Sequence, residues 1–322
     1  MRHIAIFAGF IAVTASAFAA DSQLLNLVMP DAQVMAGVNV TTAKISPFGQ
    51  YVLAQIASND KDLQDFILKT GFDPRQDVTE ILAASTGNPA QPGGLVLGRG
   101  NFNVEKLVAA ISAEKNQQVS TYAGATLITG TDSKVTHAVA FIGTTVAVAG
   151  DVASVKAALD RAGAVNSISP ALATKVQALS TSQDAWSVSL ASVASLLPGA
   201  VAPPTGPATQ AFQLVKNIQS SSGGVKFGAN IDITGQAIAD TPQNASALAD
   251  IVRMVVSLVS MGAAQNPDAA TAAQLLQSLK VSTDGTAVNI SASIPESQVE
   301  GLIKLAHESK PAAGSLARNA RK

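Results

Sequence analysis

The sequence predicts an α+β protein of two related halves, each a mostly antiparallel sheet packed by helices. Three observations lead there. The chain has 322 residues, 47% of them hydrophobic, which is enough for extensive cores and suggests roughly two domains. The stretch 137–163 reads as strand, tight turn, strand, capped helix. Beyond Pro170 the pattern of the first half restarts.

In the stretch 137–163, Ala138 to Ile142 and Thr145 to Ala149 are short apolar strands about a Gly143-Thr144 turn. Asp151 then stands where a helix cap belongs, and Val152, Val155 and Leu159 recur at helical spacing. Upstream, Ser22 to Val28 reads as a short helical turn and Gln33 to Val40 as a strand. Ser46-Pro47 starts a helix to about Ala57, since a hydroxyl caps it and proline loses nothing at the first position. A helix over Asp62 to Lys69 ends at Gly71, where a left-handed cap is expected. Strands are expected at Val78–Ala84 and Gly94–Leu97, a helix at Val104–Ala113, and a hairpin of Val119–Tyr122 with Thr126–Thr129. Without a steady strand–helix–strand rhythm, the sheet is expected to be antiparallel.

The restart matches Asp31-Ala32 before one strand with Asp184-Ala185 before another, each followed by a Pro-Gly-containing turn. The expected organisation is a signal peptide at 1–20, a first domain at 21–165, and a second at 166–307 as a divergent repeat. Residues 308–322 form a basic tail without apolar periodicity. In the second half, Pro198 to Pro207 reads as an irregular loop. Val225–Ile233 and Gln236–Ala239 read as a hairpin over Thr234-Gly235, and Gln243 to Gly262 as the longest helix. A shorter helix at Ala269–Leu279, a strand pair about Asp284-Gly285 and a last helix after Pro295 follow.

The first twenty residues carry an address. Arg2 precedes a short apolar run from Ile4 to Val13, and Ala17-Phe18-Ala19 is a small-residue cleavage signal, so the mature chain starts at Ala20 or Asp21. The run is too short to span a membrane, and the chain contains no cysteine to accept a lipid or form a disulfide. A periplasmic or secreted location is expected. Loss of Arg2 leaves 20 basic against 22 acidic groups, which gives no field for a polyanion and argues against nucleic acid as a partner.

The residues offer little chemistry. His137 and His307 lie outside any ligand-spaced cluster, and without cysteine no zinc site or thiol nucleophile is expected. Gly98-Arg99-Gly100 has two of the glycines of a dinucleotide-binding turn, but Asn103 stands at the third position as a natural helix cap. Ser58–Lys61, Ser112–Lys115 and Lys69-Thr70-Gly71 match fragments of penicillin-recognising motifs in the wrong order. No catalytic residue, cofactor or metal site is assigned, and the chain is read as a non-enzyme.

The least ordinary stretch is ALADIVRMVVSLVSMGAA, a helix apolar nearly all round. Such a helix is expected to be covered on several sides, as a central buried helix, a subunit contact or the wall of an apolar pocket. Ile251, Met254, Val255, Leu258 and Met261 are its candidate ligand or interface residues. Asp250 and Arg253, at about 2.5–3.5 kcal/mol each near a bilayer centre, argue against a transmembrane span in the mature chain.

Pro30-Asp31-Ala32 after a leader and a short helix, with the later Gly150-Asp151 helix cap, resembles uncharacterised exported bacterial proteins grouped as domains of unknown function. The resemblance implies export and α+β architecture, and no activity. The expected function is that of an exported, non-enzymatic binding or interaction module with an unknown protein partner. The alternatives are a carrier of an apolar small molecule and a hydrolase built from carboxylates brought together by folding.

Overall fold

The computed structural model describes residues 20–308, apart from 58–60, 90–92, 113–115, 133–134, 165–167, 197–207, 263–272 and 274. The chain begins with α1 (Ser22–Leu27), β1 (Val34–Asn39), α2 (Val40–Ile45), α3 (Pro47–Ala57), α4 (Lys61–Thr70) and α5 (Pro74–Asp77). It continues through β2 (Val78–Ser85), β3 (Gly94–Gly100), α6 (Val104–Ser112), β4 (Gln117–Tyr122), β5 (Ala125–Asp132), β6 (Val135–Ile142), β7 (Val146–Asp151) and α7 (Val152–Asp160). The remainder comprises α8 (Pro170–Ser182), β8 (Ala185–Ser189), α9 (Val193–Leu196), α10 (Ala208–Lys216), β9 (Ile218–Phe227), β10 (Asn230–Ala239) and α11 (Pro242–Gly262). It closes with β11 (Lys280–Asp284), β12 (Ala287–Pro295) and α12 (Glu296–Glu308).

The fold is α+β, and all twelve strands form one antiparallel sheet in the order β11-β12-β10-β9-β8-β1-β2-β3-β7-β6-β5-β4. Strands β1 and β8 pair across the expected 165/166 boundary, with Gly37 opposite Trp186. Outward from that pair one side runs β1-β2-β3-β7-β6 and the other β8-β9-β10-β12-β11. On each side the third strand is followed by a helix, and the chain then returns as a hairpin whose second strand lies against the third. The first side adds the β5-β4 hairpin beyond it. The stretch expected at Pro198–Pro207, residues 269–272 and 274 of the helix expected at 269–279, and the tail lie outside the described residues.

Cross-strand pairs share a face, so the register shows where the core sits. One row runs Trp186, Gly37, Leu82, Leu97, Val148, Ala140, Leu127 across seven strands. Its members other than Gly37 belong to a core cluster roofed by Leu24, Leu27 and Val28 at α1, Val155 and Leu159 of α7, and Leu172 and Val176 of α8. Continued the other way, the same row becomes Gly224, Thr234, Ser291. The face turns polar there, and the core of the second half moves to the opposite face beneath α10 and α11, around Ala239, Ala245, Leu248, Ala249 and Val288. A third cluster, with Phe66, Phe72, Phe102 and Phe141, packs α4 and α6 onto that opposite face at the far end of the sheet.

Several local expectations hold. Asp151 caps α7 by accepting the Ser154 N–H at 2.9 Å, Gly71 ends α4 with φ +67°, and Gly143 makes its turn at φ +57°. Asn103 caps α6 by accepting the Lys106 N–H at 3.1 Å. Gly100 is explained by packing: a Cβ there would lie 2.5 Å from the Asp77 carbonyl oxygen. The hairpin expected over Thr234-Gly235 is displaced, because those residues lie inside β10 and the turn falls at Gly228-Ala229. Ser220 to Gly224 have weak strand propensity, but β8 and β10 on either side supply their hydrogen-bond partners and draw them into β9.

The N-terminal helix is pinned by charge as well as by its buried leucines. Asp21 caps α1 through the Gln23 and Leu24 N–H groups, and its other carboxylate oxygen accepts from Arg99 at 2.6 and 2.9 Å. Burial would push the Asp21 carboxyl up, but the Arg99 guanidinium and the capping N–H groups together hold it below its ordinary value of 3.8. A carboxyl lowered in the folded state stabilises above its unfolded pKa and loses that contribution as pH falls through the folded one. Arg99→Ala is therefore expected to cost about 2 kcal/mol at neutral pH, with the deficit shrinking as pH falls below about 4, as read from urea unfolding at each pH. An equal deficit at pH 7 and pH 2.5 would show that Arg99 acts only by packing.

Candidate functional site

Among the described residues, a concavity lies on the second half's core face, between the sheet and the helices α10 and α11. It holds about 670 Å³. The physical cause is the composition of its floor. The rows Ser187–Gly223–Gly235 and Ser189–Ser221–Ala237 place small side chains where a helix packed on a sheet ordinarily meets large ones. At Gly235 a Cβ would already come within 2.9 Å of Ile290, and neither glycine fills the gap below the helices. Val225, Ile233, Val288 and Ile290 wall the cleft from the strands, and Val215, Leu248, Ile251 and Val252 from above.

Among the described residues no charged side chain lines this cleft. Its polar groups on the floor are the hydroxyls of Ser187 and Ser221, while Gln236 and Thr234 belong to rows that face the other way. There, Gln236 accepts from Lys175 at 3.3 Å and donates to Asn289 at 3.0 Å. An arrangement of this kind can desolvate an uncharged apolar body and orient it weakly by hydroxyls. Among the described lining residues none is an Asp, Glu, His, Lys or Arg.

Helix α11 is held over the cleft at its N-terminal half, where Ala245, Leu248 and Ala249 are buried, and by Arg253. The Arg253 guanidinium bridges the Asp250 carboxylate at 2.8 Å and the Val281 carbonyl of β11 at 3.2 Å, tying the helix to the sheet edge. Of the five residues expected as ligand or interface contacts, Ile251 lines the cleft. The others face out: Met254, Val255, Leu258 and Met261 are 53, 48, 54 and 65% exposed. Of the three readings offered for this helix, the central buried helix is corrected, because from Arg253 to Met261 no residue is buried. By length and composition α11 is also long and apolar enough to cross a membrane. Leu258→Lys is expected to change unfolding stability by less than about 0.5 kcal/mol, since its side chain is already half in water. A loss of several kcal/mol would restore the buried-helix picture.

The other chemical candidates are structural. Among the described residues no group of three or more His, Asp or Glu side chains converges as a metal site would need. Asp73 and Arg75 form a bidentate pair at 2.8 Å, and Asp77 accepts the Asp73 N–H, closing a local loop cluster. Asp77 and Glu105 share a polar hollow with Asn101, Asn103 and Thr144. His137 stands exposed on β6, opposite Asp151. Thr70, in the Lys69-Thr70-Gly71 match, caps the end of α4 by donating to the Phe66 carbonyl.

Sequence reading missed Val215, Val225, Ile233, Val252 and Ile290 as cleft walls. Nothing local marks them, since the cleft is created by small residues three strands wide and by the change of core face at β8.

No protein-family model and no curated protein matches the chain. Solved structures that share its fold include two crystal forms of TP0453. Crystal form III of TP0453 aligns with a TM-score of 0.51 at 10% identity, covering 87% of this chain and 97% of the other. Crystal form IV of TP0453 aligns at 0.50 and 12% identity, covering 88% and 97%. The likeness is one of fold.

Proposed function

We propose that the protein is an exported, non-enzymatic binding protein, built from two divergent copies of one strand–helix unit, that holds an uncharged apolar small molecule beneath α11. The observation that carries this reading is the 670 Å³ cleft with an apolar wall and, among the described residues, no charged lining residue. Its small floor residues leave an apolar groove that a body of matching size can fill, which is how small-molecule sites are commonly built. The leader sequence and its Ala17-Phe18-Ala19 cleavage signal support a periplasmic or secreted location. The outward Met254–Met261 stripe favours a second reading, docking of a protein partner on α11, because clustered exposed apolar side chains mark interaction surfaces.

The two readings separate on one titration. N-phenyl-1-naphthylamine, a neutral apolar fluorophore, is expected to bind saturably at one site per chain. Ile251→Asp introduces a charge into the cleft and is expected to weaken binding at least tenfold, about 1.4 kcal/mol. Met254→Lys with Leu258→Lys is expected to leave it unchanged. Binding lost with the second pair and kept with the first would move the site to the outer face of α11.

A further inference from the structure

We infer that Ser180, Glu80 and the Asp21–Arg99 pair form a seat for a free chain-terminal ammonium, that of Ala20 after removal of the leader. The inference rests on the export reading above. The Ala20 nitrogen donates to the Ser180 hydroxyl at 3.1 Å, and Ser180 is itself buried on α8. One residue on, the Asp21 N–H donates to both Glu80 carboxylate oxygens at 3.1 and 3.3 Å. Ala20 also packs on the main core cluster, so this end of the chain is held by side chain and backbone alike.

Among the described groups around this point, acids outnumber bases. Two carboxylates, Asp21 and Glu80, face one guanidinium, Arg99. Burial pushes the Glu80 carboxyl up, with the Asp21 charge adding to the rise and the Asp21 N–H and Arg99 opposing it. An amide at Ala20 brings one donor and no charge. A free ammonium brings two further donors and a unit positive charge to the residue next to the Glu80 contact, which is the usual chemistry of amine capture. Cleavage after Ala19 thus completes the cluster and fixes α1, the roof of the central core, in place.

The sign of the pH dependence follows. An α-ammonium titrates near 7.7–8.0 when free, and a neighbouring carboxylate raises that value in the folded state. Its stabilisation is full below the unfolded value and is lost as pH rises through the folded one. It also requires Glu80 to be ionised, so it fades again in acid.

The test compares a processed chain starting at Ala20 with one carrying Gly-Ser before Ala20, each with and without Glu80→Gln. At pH 6.5 the extended protein is expected to melt lower by about 2 °C or more. The gap is expected to close at pH 10 and to vanish in the Glu80→Gln background. Equal melting at pH 6.5, or a gap that survives pH 10 or the Glu80→Gln change, overturns the seat. The intact mass of the exported protein checks the reading beneath it: a start at Ala20 supports both. Retention of residues 1–19 contradicts export while leaving the melting comparison valid, and a start at Asp21 overturns the assignment to Ala20.

Discussion

Gly37→Val is expected to destabilise the protein by about 3 kcal/mol or more, with a clear fall in the urea midpoint. The position lies at the seam of the sheet, where β1 pairs with β2 on one side and β8 on the other. A Cβ at Gly37 would lie 2.5 and 2.6 Å from two Trp186 ring atoms and 2.8 Å from Leu82 Cδ2. Both neighbours are buried and closed in by the helices above, so neither has room to withdraw. The indole effectively occupies the space of the missing side chain. The clash is therefore specific to the pair, and Trp186→Leu should partly rescue Gly37→Ala, giving a coupling energy above about 0.5 kcal/mol in a double-mutant cycle. Strict additivity would show that Gly37 is needed for backbone reasons alone.

Ala237→Trp is expected to have the largest effect on binding. Ala237 sits on the cleft floor opposite Ser221 and Val288, toward the C-terminal end of β10. An indole there points into the cleft and takes up much of the space between floor and α11. Binding of the neutral fluorophore should fall by at least tenfold. Stability should hold, because the new side chain enters an open groove instead of displacing a packed neighbour. A melting temperature that falls by many degrees, with binding unchanged, would mean that the cleft is closed in solution and that the probe binds elsewhere.

How much of this was legible in the sequence depends on the range of the interaction. Short-range signals were readable: the β6–β7 hairpin with its Gly143 turn, the Asp151 cap and the Gly71 helix end are set within a few residues. Helix α1 gave only the impression of a short turn, since six residues cannot display a helical period, yet Leu24 and Leu27 are fully buried in the centre of the core. The Asp21–Arg99 pair spans 78 residues and leaves no local trace. Strand β9 was misplaced because its Ser-Gly run has only weak strand propensity and is held by both neighbours.

The long apolar helix shows the limit most clearly. Its composition demanded cover all round, but among the described residues only its first half carries buried side chains, Ala245, Leu248 and Ala249. Apolar residues on a helix say that something apolar is needed nearby; they do not say whether the protein supplies it. Ile251 and Val252 face the cleft, while Met254, Leu258 and Met261 are left to water in the isolated chain.

The most direct test of the central claim is native mass spectrometry of the protein purified from its own export compartment, beside the Ala237→Trp variant prepared in the same way. The account predicts a second mass on the wild-type chain, of one defined uncharged apolar compound, which is absent from the variant. A wild-type chain at its bare mass, or the same adduct on both proteins, would contradict a ligand held beneath α11.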